Sequence, residues 1–196
     1  MYARWLTVTA VAYVVCHHLG LAPGGFGAAP RDTQWADWLD LLVPFLVLGP
    51  AAAVLHDAGA TTRTWLLFWV GAITYATGHG VHLSANSVGN AAPSPTAHLW
   101  DEVVGHYVWY AGVALVVAAL ASSMRGRARP GTVGSLLSVA VGVTWASNAV
   151  GGGTVWFSLV LAAVGAAYGL GHRQDLRSLL AIAGLVAVVV LVAEVL

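Results

Sequence analysis

Six of the eight histidines come in pairs: His17 and His18, His79 and His82, and His98 and His106, with Asp101 and Glu102 between the last two. Imidazole and carboxylate are the side chains that hold zinc, iron and copper, and they also pass protons. Inside a membrane such groups are costly, and a set of them marks a functional site. Their spacing suits a shared site. His79, His82 and Asn86 stand at i, i+3 and i+7, one face of a helix. His98, Glu102 and His106 stand at i, i+4 and i+8, again close to one face, with Asp101 on the flank of His98. His17 and His18 point about 100° apart on a helix, so one of the two is expected to face inward.

The elements that must carry these groups are hydrophobic. Of 196 residues, 59% are hydrophobic and 8% charged, and the mean hydropathy is +0.79. A soluble domain has about a quarter of its residues charged, so the chain reads as an all-α, polytopic integral membrane bundle. Seven segments approach the ~20 apolar residues a spanning helix needs: 4–22, 39–56, 63–86, 98–122, 132–150, 154–171 and 177–196. They form a single domain over residues 1–196. The run 4–22 is expected to be an uncleaved first helix, because it ends in Cys-His-His and not in a small-residue cleavage site. Loop 23–38 is rich in Gly and Pro and is expected to form an interfacial hairpin or short helix. Loop 87–97 is polar and uncharged. Pro44 and Pro50 each predict a kink in the second segment, and Gly151, Gly152 and Gly153 a tight turn. Gly165 and Gly169 form a GxxxG pair expected to serve close helix packing.

Several chemistries are excluded. The net charge is zero, so nothing points to nucleic acid. The chain has no lysine, which removes a lysine Schiff base, and its one cysteine, Cys16, removes an internal disulfide and a CxxC site.

Arginine placement sets an expected orientation. Arg4, Arg63, Arg125, Arg127, Arg129, Arg173 and Arg177 collect on one side of the seven segments and Arg31 alone on the other. The positive-inside rule then puts the N-terminus in the cytoplasm and the C-terminus outside. All three histidine pairs fall at the outer level, in what is expected to be a bacterial plasma membrane. His56 and His172 lie near the inner ends and are expected to make interface contacts only. Trp5 and Trp65 mark the inner boundary, Trp35, Trp38, Trp100 and Trp156 the outer; Trp109 and Trp145 lie deeper, where they could line a pocket.

The expected metal ligands are His17 or His18, His79, His82, His98, Glu102 and His106. Asp101 or Glu102 is the expected general base, and Asn86, Asn148, Asp40 or Tyr110 are the groups that would orient the imidazoles. The cofactor is a divalent metal, zinc before iron or copper. The leading expectation is hydrolysis of a lipid amide or ester, or of another hydrophobic small molecule. The rivals are an iron or copper oxidoreductase, a metal or proton carrier, and an accessory subunit of a larger complex or oligomer. In span count and His/Asp chemistry the chain is similar to seven-helix ceramidase and progestin-receptor-like hydrolases. Those carry an HxxxH pair on the last helix, whereas segment 177–196 has no histidine, so the resemblance is one of general architecture.

Overall fold

The apolar runs fold as helices, and among the described residues the only strand-like feature is a bridge between Ala28 and Gln34. The computed structural model describes residues 1–19, 23–128 and 131–196. Helix α1 spans Tyr2–Cys16, α2 Trp35–Asp40, α3 Val43–Asp57 and α4 Thr62–Ala91. Next, α5 (Pro95–His98), a π-helical stretch (Leu99–Gly105) and α6 (His106–Ser123) run on as one rod of 29 residues. Then come α7 (Thr132–Gly151), α8 (Val155–Gly171) and α9 (Ser178–Val195).

Among the described residues four stretches are long and apolar enough to cross a membrane: Trp35–Asp57, Pro95–Ser123, Thr132–Gly151 and Ser178–Val195. Helices α1 and α8 are apolar but shorter, at 15 and 17 residues. Helix α4 has 30 residues, and its histidines, asparagines and hydroxyls dilute its hydropathy. The chain is therefore an all-helical protein with membrane-spanning character.

The joints differ from expectation in two places. Most of the expected loop 87–97 is helix, because α4 continues to Ala91 and stops only before Pro93, where the backbone turns extended. Ser94 then caps the next start by accepting from the Ala97 amide at 3.1 Å. Pro44 sits in the first turn of α3, where a missing N–H costs nothing, so it starts the helix and does not kink it. Segment 23–38 does hold a short helix, α2, with Gln34 and Asp37 forming a reciprocal cap.

What binds the helices is close backbone approach at glycine. Helices α4 and α6 run antiparallel and make the most extensive pair. Gly71 and Gly78 on one rod, and Gly105 and Gly112 on the other, are each seven residues apart, or about two turns. A Cβ on Gly78 would run into the Trp109 backbone, and one on Gly112 into the Tyr75 backbone. A Cβ on Gly71 would lie 2.8 Å from Val116 N, and one on Gly105 2.8 Å from His82 N. Small residues replace the hydrophobic driving force that lipid surroundings remove. Helices α8 and α9 use the same device: Gly169 abuts Ala181, and a Cβ on Gly184 would lie 2.7 Å from Ala166 N. Gly165 faces open space. The expected GxxxG contact is thus made by Gly169 alone, with Gly184 of the neighbouring helix answering it.

A prediction follows from the seam. Gly78→Leu should destabilise the protein by about 1–3 kcal/mol or more, the range for overpacking, read as thermal unfolding in detergent. Gly80→Ala, which meets nothing within 4 Å, should leave stability unchanged or raise it by up to ~1 kcal/mol.

Candidate metal centre

The centre forms where the chain changes helical pitch. In an α-helix two residues five apart point about 140° away from each other. In the π-helical stretch Leu99–Gly105 the bonding runs i to i+5, which stacks Asp101 beneath His106. Glu102, four residues before His106, flanks them. The sequence expectation of His98, Glu102 and His106 on one face assumed regular α-helix. The altered pitch instead turns Asp101 inward to a buried position and leaves His98 exposed.

Helix α4 supplies the other half. Gly105 lets its backbone touch the His82 backbone, so the His82 ring reaches the π-helical stretch. Nδ1 of His82 lies 2.5 Å from Oδ1 of Asp101, and the His82 and His106 ring centroids are 4.3 Å apart. One donor atom each from His82, Asp101 and His106 can be chosen so that all lie within 4.8 Å of one another. Nδ1 of His106 is buried, makes no hydrogen bond among the described residues, and stands 3.6 Å from a Glu102 carboxylate oxygen. A buried, unpaired imidazole nitrogen costs about 1–3 kcal/mol in lost hydrogen bonding, a cost that a bound cation would remove. The Nε2 edge of His106 is covered by Gly152, where a Cβ would come within 2.6 Å of that nitrogen. Two histidines and one carboxylate, with a second carboxylate alongside, suit zinc or iron.

The remaining candidates are placed nearby but otherwise engaged. His79 is buried, 2% exposed, with Nε2 3.5 Å from Asp40 Oδ1. His17 uses both ring nitrogens: Nδ1–H donates to Tyr13 O at 2.8 Å, and Nε2 accepts the Tyr75 hydroxyl at 2.9 Å. It therefore ties α1 to α4 and has no lone pair left for a metal. His18 turns to the Val14 carbonyl at 2.6 Å. Of the expected orienting groups, Asp40 faces His79, Asn148 donates to Thr144 O, and Asn90 donates to Asn86. The Tyr110 hydroxyl is buried without a hydrogen bond among the described residues. His56 and His172 lie outside the group, His172 bonded to the Tyr168 carbonyl. Trp109 is the hub, its ring centroid 4.9 to 5.7 Å from those of His17, His79, His82 and His106. Trp145 instead donates to the Ser158 carbonyl.

Sequence reasoning missed Gly105 and Gly152, which set the places of His82 and His106. The signal that points to Gly105 is its seven-residue spacing from Gly112, matched by Gly71 and Gly78 on the facing helix. A groove of about 620 Å³ is lined by Thr77, Gly80, Ser84 and Val88 of α4 and by Trp100, among others. At 100° per residue these α4 positions lie on the opposite side of the helix from His79 and His82, so the groove does not open onto the centre. The half-exposed Glu102 marks the open edge, with 34% of its side chain accessible.

The chain matches no protein-family model, and no curated protein and no solved structure shows significant similarity to it.

His82→Ala, Asp101→Ala and His106→Ala should each reduce bound metal to background in elemental analysis of purified protein, while His98→Ala and His56→Ala should retain it. Gly152→Ala should push the His106 ring aside and weaken metal affinity by about 10–100-fold, the range for loss of an orienting neighbour, at unchanged helical content.

Proposed function

We propose that this protein is a membrane-embedded metalloenzyme whose divalent ion, zinc in the leading reading, is held by His82, Asp101 and His106. Two observations carry the reading: one donor atom from each of these residues lies within 4.8 Å of the others, and Nδ1 of His106 is buried with no hydrogen-bond partner among the described residues. The proposed topology is seven spans, with the N-terminus cytoplasmic, the C-terminus extracytoplasmic and the centre towards the outer face. Its support is the seven-to-one split of arginines between the two sides.

The proposed reaction is hydrolysis of a lipid amide or ester. A bound zinc supplies Lewis-acid polarisation of the reacting groups. The chain's own part is proton handling and positioning. Asp101 takes the Nδ1–H of His82 and fixes its tautomer. Glu102 lies at the open edge beside His106, where it can take a proton from water and return it to a leaving group. The apolar shell of Trp109, Tyr75 and Tyr110 keeps bulk water from the inner side.

A second reading, an iron or copper oxidoreductase, uses the same donors. It is favoured by the Trp109 ring packed against four imidazoles and beside Tyr75 and Tyr110, oxidisable side chains next to the proposed ion.

Elemental analysis of detergent-purified protein, followed by assay on lipid amides and esters, tests the first reading. One equivalent of zinc and turnover abolished in Glu102→Gln with zinc retained supports it. Iron or copper with a visible spectrum supports the second, and no metal under replete conditions overturns both.

A further inference from the structure

The far end of the α4–α6 pair carries a second polar concavity of about 400 Å³. Thr61 and Thr64 line it at the start of α4, and Ser122, Ser123, Arg125 and Arg127 where α6 ends. Thr62, the first residue of α4, precedes His82 by 20 residues, about 30 Å at 1.5 Å per residue. The cavity is thus separate from the metal centre.

Its walls are rich in unused donors. Nε of Arg127 donates to Ser123 O at 2.9 Å, and the guanidinium lies 3.6 Å over the Tyr2 ring. Among the described residues neither its two terminal nitrogens nor the Arg125 side chain makes a hydrogen bond. The hydroxyls are tied into the wall. Thr61 pairs with Thr64 at 3.1 Å and Thr64 with Ser122 at 3.3 Å, while Ser122 and Ser123 donate to Ala119 O and Leu120 O. The amide of Thr64 is capped by the Thr61 hydroxyl. Asp57, next to the lining residue Ala58, makes no ion pair with either arginine.

The basic turn is held in place. Gly126 N–H donates to Asp175 at 3.2 Å, and Leu176 N–H donates to Arg127 O at 3.1 Å. The Arg177 guanidinium beside Asp175 holds its carboxyl well below the usual carboxylate range, so this clasp stays charged and is lost only as the pH falls far into acid. Two arginines on a pinned turn share one cavity with the hydroxyls of Thr61, Thr64, Ser122 and Ser123, a lining that suits a tetrahedral oxyanion.

We infer that this cavity binds a phosphate group. Its place, where apolar rods end in arginines, is the level at which a membrane offers anionic lipid headgroups; free phosphate has the same chemistry. Native mass spectrometry of the full chain in detergent tests this, with phosphatidylglycerol, phosphatidylcholine and inorganic phosphate as probes. The expected result is that wild type retains phosphatidylglycerol over phosphatidylcholine, and that R125Q/R127Q binds it about tenfold or more weakly, as removal of two charges at the membrane surface implies. Binding of inorganic phosphate without lipid selectivity, lost in the same variant, supports the cavity and assigns the source to free phosphate. Equal binding by wild type and variant, or no binding by wild type, overturns the inference. R125Q removes no hydrogen bond present among the described residues and should still weaken binding, with helical content and metal content at His82, Asp101 and His106 unchanged.

Discussion

Contact between the backbones of α4 and α6 is the constraint on which the rest of the structure depends. Lipid tails are as apolar as leucine, so helices in a membrane gain little by burying apolar side chains against each other. Glycine removes the side chain altogether and lets dispersion contacts form between main chains. Four glycines at two-turn spacing bring two long rods together along their length. Every group in the candidate metal centre hangs from that seam: His82 from one rod, Asp101, Glu102 and His106 from the other. Trp109 and Tyr75 pack at the level where Gly78 and Gly112 make the rods touch.

The second constraint is the change of pitch before His106. A π-helical stretch gives up ordinary α-helical hydrogen bonding, and its compensation here is geometric. Asp101 and His106 would diverge on an α-helix; five-residue bonding aligns them. His17 shows the opposite economy. Its two nitrogens are fully hydrogen-bonded, to Tyr13 and Tyr75, and it serves packing of α1 on α4. Two buried histidines with similar surroundings thus differ in role because one has spent its lone pair and the other has not.

The same two rods separate two chemistries. At one end imidazoles and carboxylates converge; at the other, arginines and hydroxyls surround a cavity. About 30 Å of helix lies between them, and the interior between is Val47, Phe68, Ala72, Val113 and Val116. The arginines and carboxylates of the two rods stand away from this apolar middle, where desolvating a charge would cost most.

Much of this was legible in the chain itself. Apolar runs of near-spanning length, broken by Gly, Pro and arginine, determine an all-helical membrane protein, because a long continuous apolar run satisfies its own backbone groups without water as a helix, whereas barrel strands are short and alternate. The clustering of histidines at one level followed from counting residues along those runs. Which histidines meet did not, because that depends on rotations of a few tens of degrees. His98 was lost and Asp101 gained through the π-helical stretch, whose altered pitch no α-helical spacing anticipates. His79 and His17 found partners in Asp40 and Tyr75, which are 39 and 58 residues away from them in the chain. Gly152, from a turn read only as a turn, covers one edge of His106. Composition and periodicity decide which elements form and what they can carry; only packing decides which lone pairs remain free.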